Sequence, residues 1–589
     1  MNCPSRTDET LDHDGYNQNP PSLSADTTTR KDLIGVSNIR QLQEFKRSPG
    51  EEELRDGDGD VSTAPVPNGL RNRQSGTTLD PQQEVLGKNQ ISLTPADNQA
   101  QSLMLDSGAP GRRFTWRVAS LCHQSWRAMA KFARFIGPGF MISVAYIDPG
   151  NYSTDVSAGA STKFGLLFIV LLSNIFAIFL QSLSVKLGTI TGLNLAEHCK
   201  AHLPKWLNIT LYVFAEAAII ATDIAEVIGS AIALNLLLNV PLVAGCALTI
   251  VDVLIILILY SPSGSMRRIR AFELVVMALV LGVVICFCIE LSSIKDVSVG
   301  AVFRGYLPSS AIIRDQGIFL SCGILGATVM THSLYLGSGV VQSRLRDFDA
   351  TMGNVVPHEL SHAGDMLKYR PSLAAVRSCL TYSTVELALS LFTFALFVNS
   401  AILIVAGASL SPTAAVGTAD LFGIHDLLSK SLAPAAGTVF ALALLLSGTS
   451  AGIVATIAGQ MLSEGALSWT VKPWLRRLIT RSISITPSII IAAAVGKEGL
   501  SKALNYTQVV LSIILPFTSA PLIYFTSRNK YMTVAVGNDK RDEVSDGHVA
   551  GQGVKMRNHW ITSTCAVLIW LIIAIMNVAL LVFVGLGKG

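Results

Sequence analysis

The chain has 589 residues, of which 50% are hydrophobic and only 15% are charged, and its formal net charge is +4. The mean hydropathy of +0.46 excludes an ordinary soluble domain, and so small a positive charge gives no reason to expect nucleic-acid binding. Nine scattered cysteines without a CxxC pair indicate neither a disulfide framework nor a zinc knuckle, and we predict no bound cofactor.

The N-terminal segment differs in composition from the rest of the chain. It is rich in Ser, Asp, Asn, Pro and Gln and contains the charged run GEEELRDGDGD. Such a segment cannot bury enough apolar area to offset the loss of chain entropy. We therefore expect a disordered tail over residues 1–125, which could dock trafficking or ubiquitin-ligase adaptors, followed by a membrane domain over residues 126–589.

Apolar stretches near the roughly 20 residues that span a bilayer follow one another after residue 135. Their approximate positions are 135–158, 164–189, 208–236, 242–260, 269–290, 316–340, 378–408, 434–463, 475–495, 506–526 and 559–585. Lys and Arg gather in alternate connections, which places the N-terminus in the cytosol. We expect an all-α multi-pass protein of the plasma membrane or of an endosomal or vacuolar membrane.

The first apolar span is interrupted by the sequence Asp148-Pro149-Gly150-Asn151. A carboxylate at mid-membrane costs at least about 2.5 kcal/mol unless it faces a partner or a wet cavity. Pro149 removes a backbone donor and disfavours helix at Asp148, and Gly150 allows backbone angles that other residues avoid. A break here would free carbonyls that can coordinate a cation.

The sixth span carries a second polar interruption, in the segment GILGATVMTHSLYLGS. Five spans separate the two interruptions. This spacing is typical of inverted repeats that each open with a broken helix, where secondary transporters commonly bind their substrates. We predict that spans 1–5 and 6–10 form such repeats and that span 11 is additional.

Met330, in the second interruption, narrows the kind of cation. A methionine in an apolar helix is ordinarily a packing residue. Beside the break, its thioether together with the Asp148 carboxylate and the Asn151 amide would form a site with both hard and soft ligands. Mg²⁺ and Ca²⁺ prefer oxygen ligands alone, whereas Mn²⁺, Fe²⁺ and later transition metals tolerate sulfur. The site therefore predicts a transition-metal dication.

Titratable side chains inside the spans indicate proton coupling. Asp223 and Glu226 lie at positions i and i+3 on one face of the third span. His332 follows Met330 by two residues, and its ordinary pKa of about 6.5 suits proton exchange near neutrality. Structural roles for these three side chains remain open.

Together these motifs resemble the NRAMP family of proton-coupled divalent metal transporters, and most of all its fungal manganese and iron transporters. The resemblance covers residues 130–585. It rests on DPGN at 148–151, TDIAEVIG at 222–229, ATVMTHSLYLGS at 327–338, AGQMLSEG at 458–465 and RRLITR at 476–481. It implies a LeuT-type inverted-repeat bundle that carries Mn²⁺, Fe²⁺ and related ions such as Co²⁺, Cd²⁺ or Zn²⁺ into the cytosol with protons.

The resemblance also implies roles for individual residues. The metal ligands would be Asp148, Asn151, Met330 and the backbone carbonyl of Ala327. Protons would pass Asp148 and leave through Asp223 and Glu226, with His332 taking part. The implied cytosolic end of this pathway consists of Arg344, Arg476 and Arg477.

The chain departs from the family pattern at two positions. The family usually has Met-Pro-His in the sixth span, whereas this chain has Thr331 between Met330 and His332. Without the proline, we expect the break to rest on Gly326 and on local polar groups. Ile514 stands where many members have a glutamine near the metal, so one oxygen ligand would be lost or replaced by water.

Two other functions compete with metal transport. The motif HELSH at 358–362 matches the HExxH pattern of zinc proteases, but it lies in a polar loop with no third ligand at a useful spacing. A sodium-coupled amino-acid symporter could use the same architecture. Such a site needs a helix N-terminus for the substrate carboxylate and has no use for Met330.

Overall fold

The computed structural model describes most of the predicted membrane domain. The described residues are 137–259, 266–294, 297–314, 316–353, 369–409, 420–431, 433–467, 473–534 and 553–586. The predicted tail at 1–125 and the HELSH loop lie outside these ranges.

Helical segments account for all eleven predicted spans. Eight are long and apolar enough to cross a membrane by length and composition alone, and three shorter ones complete the set. The spans are, in chain order, Pro138–Val144 with Pro149–Thr162 (1a and 1b), Leu167–Thr191 (2), Lys205–Leu238 (3), Leu242–Leu259 (4), Met266–Ser293 (5), Gly317–Thr328 with Thr331–Thr351 (6a and 6b), Leu373–Ser390 with Leu396–Ser409 (7a and 7b), Pro434–Leu467 (8), Pro473–Ala494 (9), Lys497–Thr526 (10) and Trp560–Gly585 (11).

Short elements connect the spans. They are the α-helices Leu195–His202, Val299–Gly305 and Leu421–Ser431, the 3₁₀ turn Ser310–Ile313 and the π-helical turn Leu391–Ala395 between 7a and 7b. Thr533–Val534 pairs antiparallel with Val554–Lys555 between spans 10 and 11. Local sequence fixes the end of span 2. Its C-cap is Gly192, whose φ of 68° is left-handed and favours glycine.

The two interrupted helices occupy the centre of the bundle. Span 1b packs against 7b, 6a, span 10 and span 3, and span 3 in turn packs against span 8. Span 11 lies at the edge and exposes large apolar side chains such as Val578 and Leu581. Such exposure suits lipid, because hydrocarbon is as apolar as these side chains.

Small residues set how closely the central helices approach. Gly188 in span 2 lies against the backbone of Ser338 in 6b, so a Cβ at this position would overlap the Ser338 carbonyl. Close helix–helix contacts through glycine are typical of membrane bundles. Span 2 therefore holds the second half of the broken sixth span in place.

We expect Gly188→Ala to destabilise the protein, because the added methyl group forces spans 2 and 6 apart. Overpacking of this kind costs about 1–3 kcal/mol. Thermal unfolding of the purified protein in detergent measures the effect. Gly300→Ala is the matched control, since nothing lies within 4 Å of a Cβ at Gly300. Equal melting temperatures for the two variants would contradict this packing role.

Candidate metal centre

The break in span 1 lies between Val144, where 1a ends, and Pro149, where 1b begins. Asp148 is the N-cap of 1b, and its Oδ1 accepts a hydrogen bond from the Asn151 backbone N–H at 2.8 Å. Pro149 occupies the first helical turn, where its missing N–H costs nothing. The predicted interruption of the helix is thus present, and the Asp148 side chain caps the helix that follows it.

Gly150 serves a different purpose from the predicted one. It lies in the first turn of 1b and is absent from the residues with positive φ, so it supplies no unusual backbone angle. A Cβ at Gly150 would instead overlap the side-chain amide of Gln508 in span 10. Glycine is needed here because the Gln508 side chain occupies the space that any larger side chain at position 150 would take.

The break in span 6 also differs in detail from the prediction. Helix 6a continues through Gly326 to Thr328, and the non-helical residues are Val329 (ψ 76°) and Met330 (ψ 126°). The expectation that the break rests on Gly326 is therefore wrong. A Cβ at Gly326 would overlap the backbone carbonyl of Gln508, so this glycine allows spans 6 and 10 to approach. Thr331 begins 6b, a position that any residue with helical angles can fill.

Both breaks meet at the side-chain amide of Asn151. Its nitrogen donates to Asp148 Oδ1 at 2.8 Å, to the Tyr146 carbonyl at 3.1 Å and to the Ala327 carbonyl at 3.3 Å. All these residues are buried, as is Met330. Three of the four predicted ligands, Asp148, Asn151 and the Ala327 carbonyl, therefore lie together. Oxygens that accept hydrogen bonds from the same NH₂ group can also coordinate the same cation.

Neighbouring spans hold the freed carbonyls of span 1. Asn399 of 7b donates to the Tyr146 carbonyl at 3.2 Å, and Ser447 of span 8 donates to the Ile147 carbonyl at 2.9 Å. The Tyr146 hydroxyl lies 2.9 Å from Ser333 Oγ in 6b. These bonds satisfy backbone groups that would otherwise be costly in a membrane interior.

Several oxygens near the breaks have no hydrogen-bond partner among the described residues, and three of them could face a ligand. These three belong to Asp148 (Oδ2), Thr331 (Oγ1) and Gln508 (Oε1), and all three residues are fully buried. Gln508 was not predicted. Ile514, at the position where many family members have a glutamine, packs in an apolar cluster with Ala218 and Ala221. The glutamine oxygen near the break instead belongs to Gln508, about one and a half helical turns earlier in span 10.

Below the breaks, the predicted carboxylate pair meets an arginine. Arg481 in span 9 places Nη1 3.4 Å from Asp223 Oδ1 and 3.3 Å from Glu226 Oε2. Ser484 donates to the other oxygen of Asp223 at 3.4 Å. All three charged side chains are buried, so breaking this network would leave an uncompensated charge in the membrane. Arg481 was missed, although a basic residue inside an apolar span signals such a partner.

The predicted arginines do not all join this network. Arg476 pairs with Glu216 at 3.2 Å, and the side chain of Arg477 is not among those described. Arg344 lies 3.7 Å from Glu273 in span 5, beside Gly137 at the start of span 1. Arg344 therefore pairs with a different carboxylate from Asp223 and Glu226, and its predicted part in the proton pathway stays a prediction.

His332 remains inside the bundle. Its side chain is 2% exposed, and its Nδ1 has no hydrogen-bond partner among the described residues. Among the same residues, its side chain forms none of the ion pairs of the carboxylate–arginine network. Its predicted part in proton transfer stays a prediction.

The two sides of the break differ in free space. A cavity of about 320 Å³, here called the vestibule, opens at the end opposite the predicted cytosolic face. Ser153, Ser157, Asp420, Glu498 and Asn505 are among its lining residues. On the other side, the space next to Asp223 and Arg481 is only about 10 Å³, enough for about one water molecule. Among the described residues, the free space is therefore larger in the vestibule than beside Asp223 and Arg481.

A family model described as natural resistance-associated macrophage protein-like (Nramp) matches residues 139–540. The chain is 49% identical to manganese transporter SMF1 of Saccharomyces cerevisiae over 84% of this chain and 94% of that protein. It is 48% identical to iron transporter SMF3 of the same yeast over 78% of this chain and 98% of that protein.

Solved structures agree with this match. The chain resembles the manganese transporter of Eremococcus coleocola with a TM-score of 0.62 and 29% identity, over 77% of this chain and 87% of that chain. The predicted all-α transporter fold is confirmed, and the protease alternative has no support from these relatives. The chain therefore belongs to the Nramp family and is a membrane transporter of metal ions.

Proposed function

We propose that this protein carries Mn²⁺ and Fe²⁺ into the cytosol together with protons. The observation that carries the proposal is the convergence of Asp148, Asn151 and the Ala327 carbonyl at two helix breaks, beside the buried Met330. The names of the yeast relatives, a manganese transporter and an iron transporter, support the choice of metals. An amino-acid symporter would have no use for the thioether of Met330 at this site.

The Asn151 amide suggests how a dication is received. Its NH₂ group contacts three oxygens. A cation bound at this site would take the position of the NH₂ group between these oxygens. Rotation of the amide would replace these donors by the amide oxygen and add a further ligand. The unpartnered Oδ2 of Asp148 supplies the negative charge that a dication needs when it leaves water.

Proton coupling would use the carboxylates below the site. Asp148 and Glu226 are close enough to interact electrostatically, and Glu226 shares Arg481 with Asp223. A proton released when the metal neutralises Asp148 could pass to these carboxylates. The pair Glu216–Arg476 lies closer to the cytosolic start of spans 3 and 9 and would form the exit.

Inward release requires the cytosolic side to open. Glu386 of 7a accepts the backbone N–H groups of Gly137 and Gly139 at 2.6 and 3.1 Å, which ties the start of span 1 to span 7. Arg344 and Glu273 lie against the same glycine. These contacts close the cytosolic side while the vestibule is open, and alternating access would break them.

Asp148→Ala should abolish metal uptake, because the substitution removes both the charge and the cap that shape the site. Uptake of Mn²⁺ into cells that express the full chain is the measurement, with membrane abundance as a check on folding. Ser157→Ala, on the vestibule face of 1b, is the control and should retain uptake. Wild-type transport by the Asp148 variant would refute the site.

Met330→Ala should reduce Mn²⁺ and Cd²⁺ uptake more than Ca²⁺ permeation. The reason is that the thioether favours softer cations, whereas Ca²⁺ takes oxygen ligands. Competition for uptake of the labelled metals, measured side by side for variant and wild type, reports the ratio. If the variant loses all three ions equally, sulfur does not select the substrate.

Glu226→Gln should weaken proton coupling more than metal binding. At acid external pH the wild-type protein should transport faster, because protons then drive the cycle, and the variant should lose much of this dependence. Glu464→Gln is a suitable control, since that side chain accepts a hydrogen bond from Gln460 outside the carboxylate–arginine network. Identical pH profiles for wild type and Glu226→Gln would count against the pathway.

A further inference from the structure

Span 11 has polar side chains on the face that it turns towards the bundle. Its buried residues include Ile569, Ile573, Asn577 and Leu580, which lie on one side of the helix, whereas Val578 on the other side is 60% exposed. A buried asparagine inside a membrane span is expensive unless it finds a partner on a neighbouring helix. Span 11 lies outside the two predicted repeats, so the partners of its polar side chains indicate what it contributes to them.

Two hydrogen bonds join span 11 to span 10, one helical turn apart. Ser512 Oγ donates to Asn577 Oδ1 at 2.9 Å, and the Trp570 indole N–H donates to the Pro516 carbonyl at 2.8 Å. Asn577 also donates its amide N–H to the Ile573 carbonyl of its own helix at 2.9 Å, which fixes the orientation of the amide. The turn from Ser512 to Pro516 is therefore attached to span 11 at both ends.

Proline weakens this same turn of span 10. Pro516 and Pro521 both lie inside the helix. A proline inside a helix removes the N–H that would bond to the carbonyl four residues earlier, which for Pro516 is the carbonyl of Ser512. Helices commonly kink at such positions. The bonds from span 11 therefore reinforce span 10 at the place where it would otherwise bend most easily.

The same turn also rests on the two breaks. A Cβ at Gly326 of 6a would overlap the Gln508 carbonyl and the Ser512 backbone nitrogen. The Gln508 side chain lies against Gly150 at the break of span 1, and its Oε1 has no hydrogen-bond partner among the described residues. Gln508 precedes Ser512 by one helical turn, so a shift of the Ser512 turn would move the Gln508 side chain relative to both breaks.

Span 11 also contacts helix 6a directly. The Cys322 thiol of 6a donates to the Met576 carbonyl at 3.5 Å. Cys322, Val509 of span 10 and Leu580 of span 11 form one buried apolar cluster. Span 11 therefore packs against 6a and span 10 together and fixes their positions relative to one another.

We propose that span 11 is a brace that holds the Gln508 side chain at the two breaks, with Asn577 and Trp570 as its positioning residues. Asn577 acts through Ser512, and Trp570 acts through Pro516. Neither side chain touches the metal. This role rests on the proposed function, because it requires that a dication binds where the breaks meet and that the Gln508 oxygen faces it, directly or through a water molecule.

The test measures the affinity of the purified full chain for Mn²⁺ by titration calorimetry and Mn²⁺ uptake after reconstitution in proteoliposomes. Asn577→Leu removes the acceptor for Ser512, and Trp570→Phe removes the N–H but keeps an aromatic ring. Each substitution is made in the wild-type chain and in Gln508→Ala, because a positioning residue loses its effect once the residue that it positions is absent. Thermal unfolding of every variant measures stability separately. Trp570→Phe, the milder change, serves alone if Asn577→Leu does not fold.

Two substitutions serve as matched controls. Asn174→Leu replaces another buried asparagine, which donates to the Val170 carbonyl of its own span. Trp560→Phe replaces a tryptophan at the start of span 11 that is 70% exposed. Both controls should bind Mn²⁺ as the wild type does, because neither side chain contacts span 10 through a hydrogen bond among the described residues.

We expect Asn577→Leu and Trp570→Phe to weaken Mn²⁺ binding several-fold in the wild-type chain and to have no further effect in Gln508→Ala. If they weaken binding by the same factor with and without Gln508, their effect is only structural and the positioning role is refuted. Unchanged affinity in these two variants, or in Gln508→Ala, would also refute it while the proposed function stands. If the wild-type chain neither binds nor carries Mn²⁺, the proposed function and the positioning role fail together.

Discussion

The contact on which the rest of the molecule depends is the Asn151 amide between the two broken helices. It joins the Asp148 carboxylate of span 1 to the Ala327 carbonyl of span 6. Neither helix could stop at mid-membrane unless its free backbone groups found partners. Asn399 and Ser447 provide such partners from 7b and span 8. The breaks are therefore held by four spans, and in the proposed function the same bonds would position the oxygens for a cation.

Charge in the bundle is sorted into clusters with separate tasks. Asp223, Glu226 and Arg481 form a buried network below the break, whereas Arg344 and Glu273 lie against the start of span 1. Buried ion pairs add little net stability but are costly to break one partner at a time. In the proposed function, the first cluster would exchange protons and the second would close the cytosolic side.

Close packing by glycine shapes the centre as much as polar contacts do. Gly150 and Gly326 both face Gln508, which brings span 10 against each break. The sequence predicts that these glycines open the helices. In the structure the helix ends are set by the Asp148 cap and by the extended Val329 and Met330, and glycine permits a third span to reach the site.

Sequence alone determined the membrane class, the positions of the eleven spans and the two breaks. It could do so because apolar runs of this length match the thickness of a bilayer, and because a polar residue isolated within such a run is costly unless it has a function. It also predicted the metal ligands Asp148 and Asn151, which are close together along the chain at the start of one helix.

Only the tertiary structure decided which distant groups meet. Gln508 rather than position 514 lies at the break, and Arg481 rather than Arg344 lies beside Asp223. Those pairings depend on the rotation of each helix about its axis, which is fixed by packing against several neighbours at once and leaves no local pattern in the sequence.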